Sequence, residues 1–141
     1  MSEHDEIADH HEIVQLTHRY CWALDEGDWD TLRSSVFTAD ATSDLGAGGQ
    51  NGIDEIVERV STALAVFDIT QHMVATHQIE IDGDTASGRC YLQAQHVRPT
   101  GDKLMIGATY DDTYVRTADG WRINYRKITA LWTEGQGGIK K

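Results

Sequence analysis

The sequence predicts an α+β fold, in which N-terminal helices pack on one face of a strongly curved, mainly antiparallel sheet and enclose a pocket. Three observations carry this expectation. Apolar residues follow helical spacing in the first half of the chain. After Phe67 they change to strand-like alternation, which continues through four long segments. Short turns rich in Gly and Asp join those segments, so consecutive strands pair antiparallel, and helices followed by strands indicate an α+β domain.

The helical half begins with one long helix. An apolar stripe predicts this helix over residues 7–26, and Gly27 is placed to end it in a left-handed conformation. Asp28 is a suitable N-cap for a short second helix that carries Trp29, Leu32 and Phe37.

A glycine-rich connection leads to the third helix. We expect residues 40–45 to be extended and the glycines of 46–52 to form a flexible loop. The helix that follows has Asp54 and Glu55 in its first turn, where carboxylates favour the helix dipole.

Four strands form the second half of the chain. We predict them over residues 69–81, 85–97, 103–116 and 121–133, with a frayed polar tail at 135–141. Strands of about 12 residues span about 40 Å, so they must twist and curl to close a core. Gly88 and Gly107 lie inside the second and third strands and are candidate points for a bend or bulge.

Composition and charge define the class of protein. The 141 residues, 40% hydrophobic and 25% charged, fit one soluble domain over 1–141 with a core of about 7–133. Lys and Arg number 12 and Asp and Glu 23, and this net charge of −11 disfavours nucleic acid and anionic membranes as partners. No apolar run reaches the roughly 20 residues of a membrane helix, and the polar N-terminus is unlike a targeting peptide. With Cys21 and Cys90 expected to be buried free thiols, we expect a cytoplasmic protein.

Common catalytic and cofactor motifs are absent. The sequence has no P-loop, no HExxH and no GxSxG, and the glycines at 46–49 lack a surrounding βαβ unit. His72, His77 and His96 do not have the close spacing of metal ligands, so we predict no metal site.

Short stretches of the sequence match the landmarks of one family. Residues 20–29 read YCWALDEGDW, QHM follows at 71–73, and GWRI at 120–123 precedes Arg126. This pattern resembles the SnoaL-like proteins of the nuclear-transport-factor-two-like superfamily over nearly the whole chain. The family includes polyketide cyclases, and its relatives include scytalone dehydratase, a bile-acid dehydratase, hexachlorocyclohexane dehydrochlorinase and ketosteroid isomerase. The resemblance implies a cone-shaped α+β barrel with a deep apolar pocket and no obligatory cofactor.

The resemblance also implies four catalytic residues. In lyases of this group an Asp late in the first helix pairs with a His on the first long strand, and these positions are Asp25 and His72. Tyr20 corresponds to a tyrosine five residues before the Asp, and Arg126 to an arginine in the last strand. A second pocket histidine or a tyrosine pair, as in scytalone dehydratase, is not evident, and His96 has no assigned counterpart.

The residue types themselves suit this chemistry. An imidazole titrates near neutral pH and suits a general base, and a carboxylate on its other nitrogen fixes the tautomer and stabilises the imidazolium. Each residue also has a structural alternative: a solvated helix end for Asp25, a structural strand histidine for His72, core packing for Tyr20 and a surface ion pair for Arg126.

Further residues are expected to bind a substrate in the pocket. A cavity with large apolar walls suits a polycyclic, steroid-like or polyketide-like molecule. These candidates are Asp44 at the mouth and, as walls, Phe67, Met73, Met105, Tyr110 and Trp132.

These features favour a cofactor-independent lyase, most specifically a dehydratase. His72 would remove an acidified C–H proton, and a hydroxyl would leave with help from Tyr20 or Arg126. One alternative is an isomerase or cyclase in the same pocket, with Asp44 as base and Tyr20 as oxyanion donor. Another is a non-catalytic module or small subunit, which does not need a His–Asp pair.

We expect a homo-oligomer, a trimer rather than a dimer. We expect the convex face of the sheet to carry Trp and Tyr side chains that the helices leave uncovered, and exposed apolar faces of this kind usually mark interfaces. Light scattering at micromolar concentration should show a multiple of the chain mass, whereas a species of 15.7 kDa alone would contradict the expectation.

Overall fold

The structure is a computed structural model that describes residues 3–135, with side chains from residue 5 onward. Three helices lie in its first half: α1 (Glu3–Glu26), α2 (Trp29–Thr31), which continues into a π-helical turn (Leu32–Val36), and α3 (Ile53–Leu64). The six strands are β1 (Phe37–Asp44), β2 (Gln50–Asn51), β3 (Ile69–Asp82), β4 (Thr85–Val97), β5 (Lys103–Thr117) and β6 (Gly120–Gly135). The predicted polar tail lies outside the described residues beyond Gly135.

One mixed sheet contains all six strands, in the order β2-β1-β6-β5-β4-β3. Neighbouring strands pair antiparallel except β1 and β6, which are parallel. Helix α1 packs against β3 and β6, and α3 packs against β1 and β2. This is the expected cone-shaped α+β arrangement, but the sheet is not closed into a barrel, because β2 and β3 remain as edges.

The start of the chain follows the predicted local chemistry. Gly27 has a φ of 65°, in the left-handed region that favours glycine, and it ends α1. The Asp28 side chain accepts a hydrogen bond from the Thr31 N–H at 3.2 Å and so caps α2. The second helix is shorter than predicted, since Phe37 is already the first residue of β1.

A bulge in β3 changes which residues face the core. Pairing with β4 shifts between Ala75 and Gln78, and Thr76 has a φ of 60°. The inserted residue reverses the alternation, so Val74 packs on the core before the bulge and Ile79 after it. Strict alternation along one uninterrupted strand would have placed these side chains on opposite faces.

The two predicted bend points differ in their surroundings. At Gly107 the pairing of β5 with β6 shifts register, as expected, and the Trp132 indole lies where a Cβ would be, 2.2 Å away. Gly88 lies in a regular part of the ladder, with the Gln78 carbonyl oxygen and the Tyr114 ring 3.1 and 3.2 Å from a Cβ built there. Both glycines therefore permit close packing, but a bulge forms only at Gly107.

A buried carboxylate attaches the first half of α1 to the sheet. Asp9 accepts two hydrogen bonds from Arg116, both at 2.8 Å, and one from the Trp121 indole N–H at 2.9 Å. The Arg116 guanidinium also lies over the Trp121 ring, 4.7 Å from its centroid. The hydrogen bonds from Arg116 hold the pKa of Asp9 below its ordinary value.

We expect the substitution Asp9→Asn to lower the melting temperature by several degrees at pH 7, since it removes the buried one of the two carboxylates that pair with Arg116 and leaves the exposed Asp84. A carboxyl whose pKa is lowered on folding stabilises the protein at pH values above its pKa in the unfolded chain, about 3.9. This stabilisation is lost as the pH falls through its lower pKa in the folded protein. The difference in melting temperature between wild type and Asp9→Asn should therefore become smaller below about pH 4. Thermal melts from pH 7 to pH 3 measure it, with Asp40→Asn, at an exposed carboxylate, as the control. Equal melting temperatures at pH 7 would contradict this role.

Candidate active site

A cavity of about 370 Å³ lies between α1, α3 and the concave face of the sheet. Its volume is at the lower end of ordinary small-molecule sites. Most of its wall is apolar: Leu24, Leu45, Gly46, Ala47, Val60, Ala63, Leu64, Leu92, Ala94, Ile106, Ile128 and Ala130. Its polar groups are Tyr20, Arg59, His72, His96, Tyr110 and Thr133.

Asp25 and His72 form a hydrogen-bonded pair, in which His72 lines this cavity and both residues line a second groove beside it. The His72 Nδ1 lies 2.6 Å from an Asp25 carboxylate oxygen, and 5% of the His72 side chain and 17% of the Asp25 side chain are exposed. Because a carboxylate accepts, Nδ1 carries the proton in the neutral ring, and Nε2 keeps its lone pair. The pair can therefore accept a proton at Nε2 and stabilise the resulting imidazolium.

The edge position of β3 explains how Asp25 is held. Outward-facing N–H groups of an edge strand lack a strand partner, and the backbone N–H of His72 donates to Asp25 at 2.9 Å. The Thr70 hydroxyl donates to the same carboxylate at 3.0 Å. Three hydrogen bonds from one strand thus fix the carboxylate at the end of α1.

His96, which had no assigned role in the sequence, is a second histidine of the cavity. Its ring centroid is 5.8 Å from that of His72, and its Nδ1 lies 3.0 Å from the Leu104 carbonyl oxygen. Burial lowers the pKa of His96, so the imidazole is neutral at pH 7, with Nδ1–H donating to the carbonyl and Nε2 free to accept. The signal was available, because His96 alternates with Leu92 and Ala94 on the buried face of β4.

Tyr20 and Tyr110 form the tyrosine pair that the sequence did not make evident. Both side chains line the cavity, and their rings are nearly perpendicular, with centroids 5.8 Å apart. Burial raises the pKa of Tyr20 to about 12 and raises that of Tyr110 well above its ordinary value. Both phenols are therefore neutral hydrogen-bonding groups at pH 7.

Arg126 lies behind the tyrosines and is not among the residues that line the cavity. Its guanidinium lies 4.4 Å from the Tyr20 ring centroid and 3.9 Å from that of Tyr110. Its Nε and Nη2 donate to Asp112 at 2.7 and 2.8 Å, and both partners are fully buried. The surface ion pair considered from the sequence is thus a buried ion pair.

The charge of this pair is compensated within the core. Burial alone would lower the pKa of Arg126, but the neighbouring Asp112 carboxylate raises it well above its ordinary value. The Tyr114 hydroxyl donates to Asp112 at 2.7 Å. Asp112 was missed in the sequence, although it alternates with Tyr110 and Tyr114 on the inward face of β5.

The predicted substrate-binding residues are divided between the cavity and the outer surface. Of these, Tyr110 lines the cavity, whereas Asp44 does not, although its neighbour Leu45 does. Phe67 is buried behind the wall, with its ring 4.7 Å from that of His96.

The other three predicted walls face outward. Met73 follows the cavity residue His72 along β3 and is 62% exposed. It lies with Trp22 in the second groove, which Asp25 and His72 also line. Met105 precedes the cavity residue Ile106 in β5, so alternation points it to the convex face. Trp132 is 44% exposed and covers Gly107. Alternation along each strand therefore places these three side chains away from the cavity.

Arg59 is a further cavity residue and was not among the predicted site residues. It lies on α3 one turn before Ala63, which also lines the cavity, and its Nε donates to the Leu45 carbonyl oxygen at 2.9 Å. The helical spacing of Ile56, Arg59, Val60 and Ala63 was the signal that could have found it.

The remaining sequence expectations concern thiols, metals and membranes. Cys21 and Cys90 are free and buried as predicted, and burial raises their pKa to about 12 and about 11. Within residues 5–135, no group of three His, Cys, Asp or Glu side chains could hold a metal ion. None of the described helices is both long and apolar enough to cross a membrane.

Comparison with known proteins places the chain in a family. A family model of the SnoaL-like domain matches residues 5–127. An uncharacterized protein of Mycobacterium tuberculosis is 40% identical over 130 residues, covering 88% of this chain and 86% of that protein.

Solved structures share the fold. A Kribbella flavida protein is 28% identical, with a TM-score of 0.85 over 92% of this chain and 95% of that one. A hexachlorocyclohexane dehydrochlorinase from Novosphingobium barchaimii has the same fold at 18% identity, with a TM-score of 0.85 over 98% and 97% of the two chains. Since the family model spans most of the sequence and the resemblance extends to the whole fold, the chain belongs to the SnoaL-like family.

Proposed function

We propose that the protein is a cofactor-independent lyase, a dehydratase, that acts on a hydrophobic polycyclic small molecule. The observation that carries this proposal is the Asp25–His72 pair at an apolar cavity, with the His72 Nδ1 2.6 Å from the carboxylate. The family, and a fold neighbour that is a dehydrochlorinase, support an enzyme that converts small molecules.

The proposed reaction begins with proton abstraction. The Nε2 of His72 takes a proton from a carbon next to a substrate carbonyl, and Asp25 stabilises the imidazolium. The electron pair of the broken C–H bond forms a C=C bond as the C–O bond to the leaving hydroxyl breaks. Tyr20 protonates that hydroxyl, which leaves as water, and the imidazolium proton then restores the phenol. The balance is one substrate to one alkene and one water.

Arg126 supports this step through the tyrosines. A phenol whose pKa is about 12 is a weak acid, and the guanidinium beneath the Tyr20 ring opposes the effect of burial on that pKa. Arg126 is thus a positioning residue that favours charge transiently formed on Tyr20. His96, with Nε2 free, accepts a hydrogen bond from a substrate hydroxyl beside His72.

The two alternatives, an isomerase or cyclase and a non-catalytic module, receive different degrees of support from the structure. An isomerase that uses Asp44 as base has no support, because Asp44 is not among the cavity residues. An isomerase or cyclase that uses His72 shares the first step and differs only in having no leaving group. A non-catalytic module does not account for a carboxylate fixed on a cavity histidine by three hydrogen bonds.

We expect His72→Gln to lower turnover by about 10²- to 10⁴-fold, the usual contribution of a general base. Asp25→Asn should fall nearly as far, since it removes the charge that stabilises imidazolium. The double variant should be little worse than the more impaired single variant, because both changes remove the same function. Single-turnover kinetics measure this on a substrate found by screening hydroxylated polycyclic ketones for loss of water.

The matched control is His77→Gln, at a histidine of the same strand that bonds Thr17 and does not line the cavity. It should retain turnover, and circular dichroism should show that all variants are folded. Near-wild-type turnover in His72→Gln would show that His72 is not the base, and strictly additive losses at residues 25 and 72 would show separate roles.

We expect Arg126→Met to destabilise the protein by about 3–5 kcal/mol, because it leaves the Asp112 charge buried without its cation. The double variant Arg126→Met/Asp112→Leu should recover most of that loss, whereas its turnover should stay below wild type because Tyr20 lacks the guanidinium. Urea unfolding and single-turnover rates measure the two effects. Full turnover in a folded double variant would contradict the role of Arg126 at Tyr20.

A further inference from the structure

Arg59 is the only Lys or Arg among the described residues that line the cavity. It is half-buried, and its Nε donates to the Leu45 carbonyl oxygen. A guanidinium has five N–H donors, and the four on the terminal nitrogens have no hydrogen-bond or ion-pair partner within residues 5–135. The cavity therefore presents a cation with unused donors.

The cavity wall contains nothing that neutralises this cation. No Asp or Glu is among the described lining residues, and His96 is neutral at pH 7. The chain as a whole carries a net charge of −11, and the nearby Asp25 carboxylate is already bonded to Thr70 and His72, so Arg59 is a lining cation that an anionic ligand can bind. Apolar surroundings strengthen the attraction of a guanidinium for an anion, and its planar donors match a carboxylate in a bidentate arrangement.

The loop before α3 holds Arg59 in place. A Cβ at Gly46 would lie 2.7 Å from the Arg59 Nη2, so the guanidinium lies against a position that has no side chain. Gln50 fixes the loop, because its Oε1 accepts from the Ser43 hydroxyl at 2.6 Å and from the Leu45 N–H at 3.0 Å. Its Nε2 donates to the Gly46 carbonyl oxygen at 2.6 Å. The arginine is thus preorganised, which limits the entropy lost when it binds a ligand.

We propose that Arg59 binds a carboxylate of the substrate, so that the substrate is a hydrophobic acid whose apolar body fills the rest of the cavity. This inference rests on the proposed function, because it assigns the substrate class of the same site. The carboxylate is held at the α3 side of the cavity, and the remainder of the molecule extends toward the histidines.

Matched probes of equal shape and different charge test this inference. Isothermal titration calorimetry compares the affinity of each carboxylate with that of its carboxamide in two pairs. The first pair is 2-naphthoate and 2-naphthamide, and the second is adamantane carboxylate and adamantane carboxamide. Wild type should bind each carboxylate about tenfold more tightly than its amide, the value of one charged hydrogen-bonded contact. Arg59→Gln should remove this preference and leave the affinity for the amides in place, and Arg59→Lys should retain part of it.

The control is Arg33→Gln, which removes the same charge from an exposed arginine that pairs with Asp54. It should keep the preference for carboxylates, and thermal melts should show that each variant is folded. Equal affinity for carboxylate and amide in wild type, or an undiminished preference in Arg59→Gln, would overturn the role of Arg59 and leave the dehydratase proposal standing. Binding of neither probe class would overturn both. The binding measurement does not depend on turnover. A preference for carboxylates that depends on Arg59, in a protein without dehydratase activity, would therefore contradict the proposed function and leave the role of Arg59 in place.

Discussion

The attachment of the end of α1 to the edge strand β3 through Asp25 is the interaction on which the site depends. Its carboxylate accepts from Thr70, from the His72 backbone and from the His72 ring, so a single side chain satisfies the strand edge and orients the imidazole. A carboxylate in the last turn of a helix opposes the helix dipole, and the strand donors compensate for that cost. The same contacts cover one side of an open sheet that would otherwise expose its backbone at this point.

The charged and titratable side chains inside the cone form two groups: a buried ion pair beneath the cavity, and the residues that line the cavity. Below the cavity, Arg126 and Asp112 neutralise each other, and two aromatic rings cover the guanidinium. At the cavity itself, the two phenols and the His96 imidazole are neutral at pH 7, and one arginine, Arg59, has no anionic partner among the described residues. A fully buried charge needs a partner, so the Arg126–Asp112 pair belongs to the fold, whereas the half-buried Arg59 can stay unpaired until it binds a ligand.

Local sequence chemistry predicted most of the fold, because the change of period and the turn residues place the four long strands within a few residues of their observed ends. The pairing of Asp25 with His72 came from family resemblance, since no local pattern links positions 47 residues apart. The errors have tertiary causes. The bulge at Thr76 reverses alternation without a glycine or proline to mark it, and the parallel pairing of β1 with β6 joins distant parts of the chain. Met73 was predicted to be a wall of the pocket, although strand alternation places it on the face opposite His72.

The central claim is that Asp25 holds His72 as a base whose Nε2 is free to take a proton. Two-dimensional proton–nitrogen NMR of the histidine rings measures this directly, at a pH where the imidazoles are neutral, with the His72 signals assigned by their absence from a His72→Gln sample. The predicted result is that the neutral His72 ring is protonated at Nδ1 and unprotonated at Nε2, and that Asp25→Asn removes this preference for the Nδ1–H tautomer. A His72 ring protonated at Nε2 in the wild type would contradict the account, because the nitrogen required to accept the substrate proton would already carry one.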